Sequence, residues 1–403
     1  MADVIELNGR RYRKPRRPTV VICVDGCDPE YVERGIADGI LPTISSFART
    51  GYLGTADAAM PTFTNPNNVS IVTGAPPAVH GIAGNYYLDR DSGREIMMTD
   101  ERLMRSETVL ALMAREGVKT AAVTAKDKLR KLLGRNLDGI CFSSECADPD
   151  VEAMVGRSKP DMYSADLSLY VLDAGIKLLE RDAATLLYLS LSDYVQHAHA
   201  PGAPGADAFN RAIDERVRRL IELGAVVGLV ADHGMNDKAL PNGEPHVIFL
   251  EDELNNRFGA GAVRVICPIT DPFVRHHGAL GSFVRVYARG NADVASLIAA
   301  SAARPGVALA LNGCDAAERF ELPLDREADF VVLGDDNTAI GATRAEHDLS
   351  GLAGHRLRSH GGLGEQRVPF ILSRPLTPEY QRIAATRRLR NFDIFDFALN
   401  GVE

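Results

Sequence analysis

Apolar side chains fall along the chain in two rhythms. Residues 19–24, 119–124, 185–190 and 226–231 are unbroken runs rich in Val, Ile, Leu and Thr. A strand that is apolar on both faces is one covered on both sides, as in a parallel sheet. Between these runs the spacing changes to three and four. Residues 106–116 form one such stretch, closed by Gly117, and residues 166–181 form another. Phe209, Ile213, Val217 and Leu220 line one face of a third, with charges opposite. Alternation of this kind predicts an α/β fold with a mostly parallel central sheet flanked by helices. From residue 245 to 354 it gives way to short strands at 263–267, 283–288 and 329–333, set among polar and Gly-rich connections. Core texture returns in the run 368–372 and in an amphipathic ending of Phe392, Ile394, Phe395, Ala398 and Leu399. The expected organisation is a core of 1–244 and 355–403 carrying a smaller inserted α+β cap, 245–354.

In open α/β sheets the ligand lies outside the carboxyl ends of the strands. All four apolar runs lead there into reactive side chains: the first into Asp25, the second into Lys126 and Lys128, the third into Asp193 and His197, the fourth into Asp232 and His233. A single Asp–His pair is more often a cap or a surface pair, so the convergence carries the reading. With His360, the set offers three carboxylates and three imidazoles and no thiolate, which suits zinc or a similar divalent ion with an open position. That number serves two metals, and two metals ~4 Å apart clamp a transferring phosphoryl group.

Thr64, in the segment 60–74, stands at an expected helix N-terminus, where unpaired N–H groups favour an anion. It reads either as a helix cap or, beside a metal pair, as the hydroxyl nucleophile that pair needs. Lys126 and Lys128 read as solvated surface in isolation; beside such a centre their ammonium groups suit a second anionic group on the substrate. Asn85, after Gly84, reads as a turn residue.

Charge narrows the partners. Lys and Arg total 45 against 54 Asp and Glu, a formal charge of −9, so the chain lacks the concentrated basic face that nucleic acid requires. Trp is absent, which also argues against a stacking platform for single strands. The six cysteines, Cys23, Cys27, Cys141, Cys146, Cys267 and Cys314, have neither the number nor the spacing of a disulfide framework or zinc ribbon. No run of ~18 apolar residues crosses a membrane and the start carries no secretory signal, so a soluble, cytoplasmic protein is expected. Nothing in the sequence indicates a homo-oligomer, although none is excluded.

Asp25, the Pro-Thr-x-Thr-x-Pro-Asn segment around Thr64, Asp193-x-x-x-His197, Asp232-His233-Gly234-Met235 and Ser359-His360-Gly361-Gly362 together resemble the alkaline phosphatase superfamily, in its nucleotide pyrophosphatase/phosphodiesterase branch. Within that branch, segments 20–26, 62–80, 123–134, 193–201, 269–283 and 358–362 resemble, in order, the phosphonoacetate hydrolase family. The resemblance implies an alkaline-phosphatase-like core and two Zn2+ per chain. One zinc would take Asp193, His197 and His360, and the other Asp25, Asp232 and His233 with the Thr64 oxygen. It implies that Thr64 is the nucleophile, passing through a phospho-Thr intermediate, and that Asn85 holds a nonbridging phosphoryl oxygen. Lys126 and Lys128 would hold the carboxylate of phosphonoacetate, with Arg275 and His276 as a second clamp from the cap. The implied activity is hydrolysis of the carbon–phosphorus bond to acetate and phosphate, in phosphonate catabolism. His80, His246, His347 and His355 are expected to be structural.

Two rivals stay open at this point. A phosphodiesterase or nucleotide pyrophosphatase could use the same core, although Lys126 and Lys128 would then lack a purpose. A non-catalytic zinc-stabilised binding protein belongs to another class and would survive loss of Thr64. A sulfatase is disfavoured, because no Cys/Ser-x-Pro-x-Arg segment is present.

Overall fold

The computed structural model describes residues 3–270, 277–352 and 354–403. The four apolar runs become the strands Thr19–Cys23, Thr120–Thr124, Leu186–Ser190 and Val226–Val230, every residue of which is buried. They lie in a seven-stranded sheet ordered Tyr52–Asp57, Arg367–Leu372, Val226–Val230, Thr19–Cys23, Leu186–Ser190, Thr120–Thr124, Ile140–Ser143. The five strands from Val226–Val230 to Ile140–Ser143 pair in parallel, and Arg367–Leu372 is antiparallel to both of its neighbours. The expected mostly parallel sheet is thus present, with one reversed strand. The sequence placed that strand in the core but did not give its direction.

Helices cover the sheet through apolar faces. Asp166–Glu180 buries Leu167, Tyr170, Val171, Leu172, Ala174, Ile176 and Leu178, and Pro204–Glu222 buries the Phe209, Ile213, Val217, Leu220 stripe read from the sequence. The stretch from residue 106 shortens to the helix Val109–Arg115, because Thr108 accepts from the Ala111 N–H and sets the start there. The C-terminal helix Ile394–Asn400 packs Ile394, Phe395 and Phe397 into the same core.

Between the two halves of this core lies a four-stranded antiparallel sheet ordered Val263–Ile266, Phe283–Ala288, Phe330–Gly334, Val307–Asn312. Its apolar cluster includes Phe283, Val286, Leu297, Phe330 and Val332, and it also takes in Met60, Phe63 and Ala83 from before the insertion. Where the chain leaves and re-enters the main sheet, Asn236–Asp237 pairs antiparallel with Arg358–Ser359. That short ladder fixes the loops carrying His233 and His360 against each other.

Candidate active site and metal centre

Three parallel strands of the central sheet hand their reactive residues to the same rim. Asp25 follows Thr19–Cys23, Asp193 follows Leu186–Ser190 and leads into the helix Tyr194–Ala198, and Asp232 and His233 follow Val226–Val230. The turn at Gly26 needs a positive φ of 71°, and a Cβ there would press on Asp193 and Gln196 at 3.3 and 3.2 Å. Glycine therefore lets the first strand end close against the third.

Two overlapping groups among the described residues bring their ligand atoms within 4.8 Å of one another: Asp193, His197 and His360, and Asp25, Asp193 and His233. All of these residues are buried. His197 Nε2 lies 3.0 Å from Asp193 Oδ2, His233 Nε2 lies 3.2 Å from Asp25 Oδ1, and His360 Nε2 lies 3.8 Å from Asp193 Oδ2. Asp232 stands one step back, its Oδ2 3.8 Å from His233 Nε2. The His233 and His360 rings stack at 3.5 Å and 8°.

The donor set fits a cation. Each of the three imidazoles directs Nδ1 at a backbone carbonyl: His197 at Arg358 O (2.7 Å), His233 at Gly234 O (2.8 Å) and His360 at Thr62 O (2.7 Å). A carbonyl only accepts, so Nδ1 carries the hydrogen and Nε2 is turned toward the carboxylates, the arrangement that orients metal-binding histidines. Burial and the neighbouring His233 and His197 hold His360 well below the ordinary histidine range, so it presents a lone pair to Asp193. Two lone pairs facing each other in a dry site call for a positive charge between them.

The carboxylates draw in what positive charge the chain offers. Burial raises the Asp232 carboxyl above its ordinary range, and Asp25 adds to the rise. Burial would lower His233, but Asp232, Asp25 and Asp193 override it and raise its pKa to about 9. Lys126 Nζ reaches 2.7 Å from Asp193 Oδ1 and 3.3 Å from Asp25 Oδ2. The sequence reading gave it to a second anionic group of the substrate; here it sits among the candidate ligands, standing where a cation is wanted. Lys128, on the helix Asp127–Leu133, is lowered to about 7 by burial and by the nearby Lys126 ammonium.

Thr64 is the first residue of the helix Thr64–Thr73 and not its cap, which is Phe63. Its hydroxyl lies 3.4 Å from His233 Nε2, at the centre. Asn85 is buried in a loop tied to the inserted segment: its N–H donates to Pro268 O (2.6 Å) and its Nδ2 to Ile269 O (3.2 Å), while Oδ1 has no hydrogen-bond partner among the described residues. Arg275 and His276 lie outside the described residues. His80 is buried away from the centre, between Ser70 Oγ (2.8 Å) and the Ile82 N–H (3.2 Å).

Two residues near the centre escaped the sequence reading. His277 is buried and stacks on His197 at 5.1 Å and 26°; nothing in its sequence position marked it for this place. Asn68 donates from Nδ2 to Asp232 Oδ2 (3.1 Å). Its signal was present as Tyr188 and Ser190, two polar residues on one face of an otherwise apolar strand, both of which bond its Oδ1.

The family model for type I phosphodiesterase / nucleotide pyrophosphatase matches residues 19–362. The phosphonoacetate hydrolase of Sinorhizobium meliloti, crystallised in complex with phosphonoacetate and with phosphonoformate, is 43% identical and superposes with a TM-score of 0.93 over 99% of each chain. Human ectonucleotide pyrophosphatase/phosphodiesterase 5 shares the fold at 14% identity, with a TM-score of 0.64 over 94% of this chain and 93% of that one. An uncharacterised pyrophosphatase/phosphodiesterase of Schizosaccharomyces pombe is 23% identical over 244 residues, 59% of this chain; the match spans about half of that relative's length, 47%. The chain belongs to the type I phosphodiesterase / nucleotide pyrophosphatase family of enzymes in the alkaline phosphatase superfamily, on the branch of the phosphonoacetate hydrolases.

Proposed function

We propose that the protein hydrolyses the carbon–phosphorus bond of phosphonoacetate to acetate and phosphate at a di-zinc site, as a step in cytoplasmic phosphonate catabolism. One observation carries the reading: the near full-length likeness, at 43% identity, to a phosphonoacetate hydrolase crystallised with phosphonoacetate. The local chemistry agrees with it. Residues 1–244 and 355–403 are the hydrolase core in this reading and 245–354 the cap. All six cysteines are free, in keeping with a reducing compartment.

Asp193, His197 and His360 would hold one zinc and Asp25, Asp232 and His233 the other, supplying Lewis-acid polarisation of the phosphoryl oxygens and acidifying a bound hydroxyl or water. Thr64 gives up its hydroxyl proton to water, and Oγ1 attacks phosphorus in line, opposite the carbon. The P–O bond to Thr64 forms as the C–P bond breaks, and the bonding pair passes into the adjacent carboxylate as an enolate-like dianion. Lys126 and Lys128 offset that growing charge, the same preorganised electrostatics as an oxyanion hole. Metal at Asp25 and Asp193 would meet the charges that Lys126 now answers, and the flexible Lys126 stem would then be able to reach the substrate carboxylate. Asn85 Nδ2 contacts a nonbridging oxygen. The carbanion takes a proton from water to give acetate, and a second water cleaves phospho-Thr64 to phosphate.

The test is a substrate panel with zinc present: phosphonoacetate against a bis-nitrophenyl phosphodiester and a nucleotide. Phosphate release that is fastest from phosphonoacetate is expected. No release from phosphonoacetate, with turnover of the diester or nucleotide, would assign the chain to the phosphodiesterase activity instead.

A further inference from the structure

Asn68 is fully buried and every hydrogen-bonding position on its amide is engaged. Nδ2 donates to Thr64 O (3.0 Å) and to Asp232 Oδ2 (3.1 Å), and Oδ1 accepts from the Tyr188 hydroxyl (2.7 Å) and the Ser190 hydroxyl (2.7 Å). A carbonyl and a carboxylate can only accept, so the nitrogen must face them, and the two hydroxyls then donate to the oxygen. The amide therefore has one orientation. It spans the first turn of the Thr64–Thr73 helix and the carboxylate of Asp232, and it is anchored from below by the Leu186–Ser190 strand.

The count of lone pairs on Asp232 gives this bridge a purpose. A carboxylate offers about four acceptor positions. Oδ1 takes the N–H groups of Gly26 (3.2 Å) and His233 (3.1 Å), and Oδ2 takes Asn68. That leaves one position for the centre, where Asp25 is hydrogen-bonded to the Asp232 side chain and His233 Nε2 lies 3.8 Å from Oδ2. We propose that Asn68 is a positioning residue: its amide selects the single Asp232 lone pair left to a metal ion and holds it in register with the backbone of Thr64. Nucleophile and ligand are then set by one rigid group and not by two independent loops. This rests on the reading of Asp232 as a metal ligand.

Asn68→Asp tests it, because it keeps the shape and polarity of the side chain while turning a donor into an acceptor toward Asp232. Metal-free protein titrated with zinc against a competing chelator is expected to keep one site at wild-type affinity and to lose roughly 10–100-fold at the other. At saturating zinc, kcat for phosphonoacetate falls while KM moves less than about threefold, since the groups that hold the substrate are untouched. Wild-type affinity at both sites together with wild-type kcat overturns the proposal. So does a loss of thermal stability in the metal-free protein with zinc affinities and kcat unchanged, which is what a purely structural role predicts. If Asn68→Asp does not fold, Tyr188→Phe with Ser190→Ala frees the amide to rotate while keeping its donors; a smaller loss in the same two readouts supports the proposal and no loss overturns it. A wild-type protein that binds no zinc overturns the reading of the centre itself, a result distinguishable because it needs no variant.

Discussion

Thr64 Oγ1 lies 3.4 Å from a ring nitrogen of His233 on the innermost turn of a buried helix, so its removal separates chemistry from binding. Thr64→Ala is expected to lower kcat by roughly a thousandfold or more while zinc uptake is retained, measured by phosphate release and metal titration. The paired Lys126→Ala, Lys128→Ala variant is expected to lose phosphonoacetate hydrolysis but to keep hydrolysis of a nitrophenyl phosphonate ester, whose leaving group needs no carboxylate clamp. His80 makes a prediction about stability. Burial, with Arg326 adding to it, lowers its pKa to about 3 against an unfolded value near 6.5. The folded state holds the neutral ring, so its contribution is full above pH 6.5 and is lost as pH falls toward 3, at about 1.4 kcal/mol per pH unit. Unfolding free energy between pH 7 and pH 4 is therefore expected to fall less steeply in His80→Gln than in wild type, by about 3 kcal/mol in all; equal slopes would mean that the ring does not titrate with folding. At this scale the sequence was most informative where a residue ends a strand, as with Asp25, Asp193, Asp232 and His233. It was least informative at Asn68, His277 and the resting place of Lys126, which depend on partners up to 164 positions away.

Elements were most legible where they are both long and fully buried; the buried but short strands Ala339–Gly341 and Arg358–Ser359 were not read. Four of the five parallel strands came through as continuous apolar runs and the Pro204–Glu222 helix as a clean stripe, because a covered surface leaves little choice of residue type; the half-exposed edge strand Ile140–Ser143 did not. The direction of Arg367–Leu372 and the Asn236–Asp237 ladder were not legible: the first is buried like its parallel neighbours and reads as the same apolar run, and the second is two residues long. The insertion meets the core through another feature of this kind. Arg285 on the Phe283–Ala288 strand is fully buried, with Nε 2.7 Å from Glu327 Oε1, Nη2 3.0 Å from Oε2 and Nη1 3.2 Å from Ala83 O, two residues before Asn85. Removing one partner strands the other charge in a dry site. Glu327→Ala is expected to destabilise by about 3–5 kcal/mol in urea unfolding, whereas replacing both residues by apolar ones of similar volume is expected to be close to neutral. A wild-type midpoint for Glu327→Ala would show that the guanidinium finds water.

For the molecule as a whole, candidate ligands come from both sides of the insertion, so metal and fold should be coupled. A ligand that binds only the folded chain stabilises it by RT ln(1 + [L]/Kd), about 2.7 kcal/mol at a hundred times Kd. Chelator-treated protein is expected to melt at a lower temperature than zinc-loaded protein, with zinc restoring the loss; unchanged melting would show that the site forms without help. The formal charge of −9 does not attract a dianion at long range, and specificity has to reside in a few cationic groups at one rim. The ladder between Asn236–Asp237 and Arg358–Ser359 has a consequence for the making of the protein. Of the six candidate ligands, five have left the ribosome once residue 233 emerges, but their sixth, His360, follows only after the entire insertion has been synthesised. A nascent chain therefore cannot assemble the complete set of ligands, and full loading with metal marks a polypeptide that has been finished and folded.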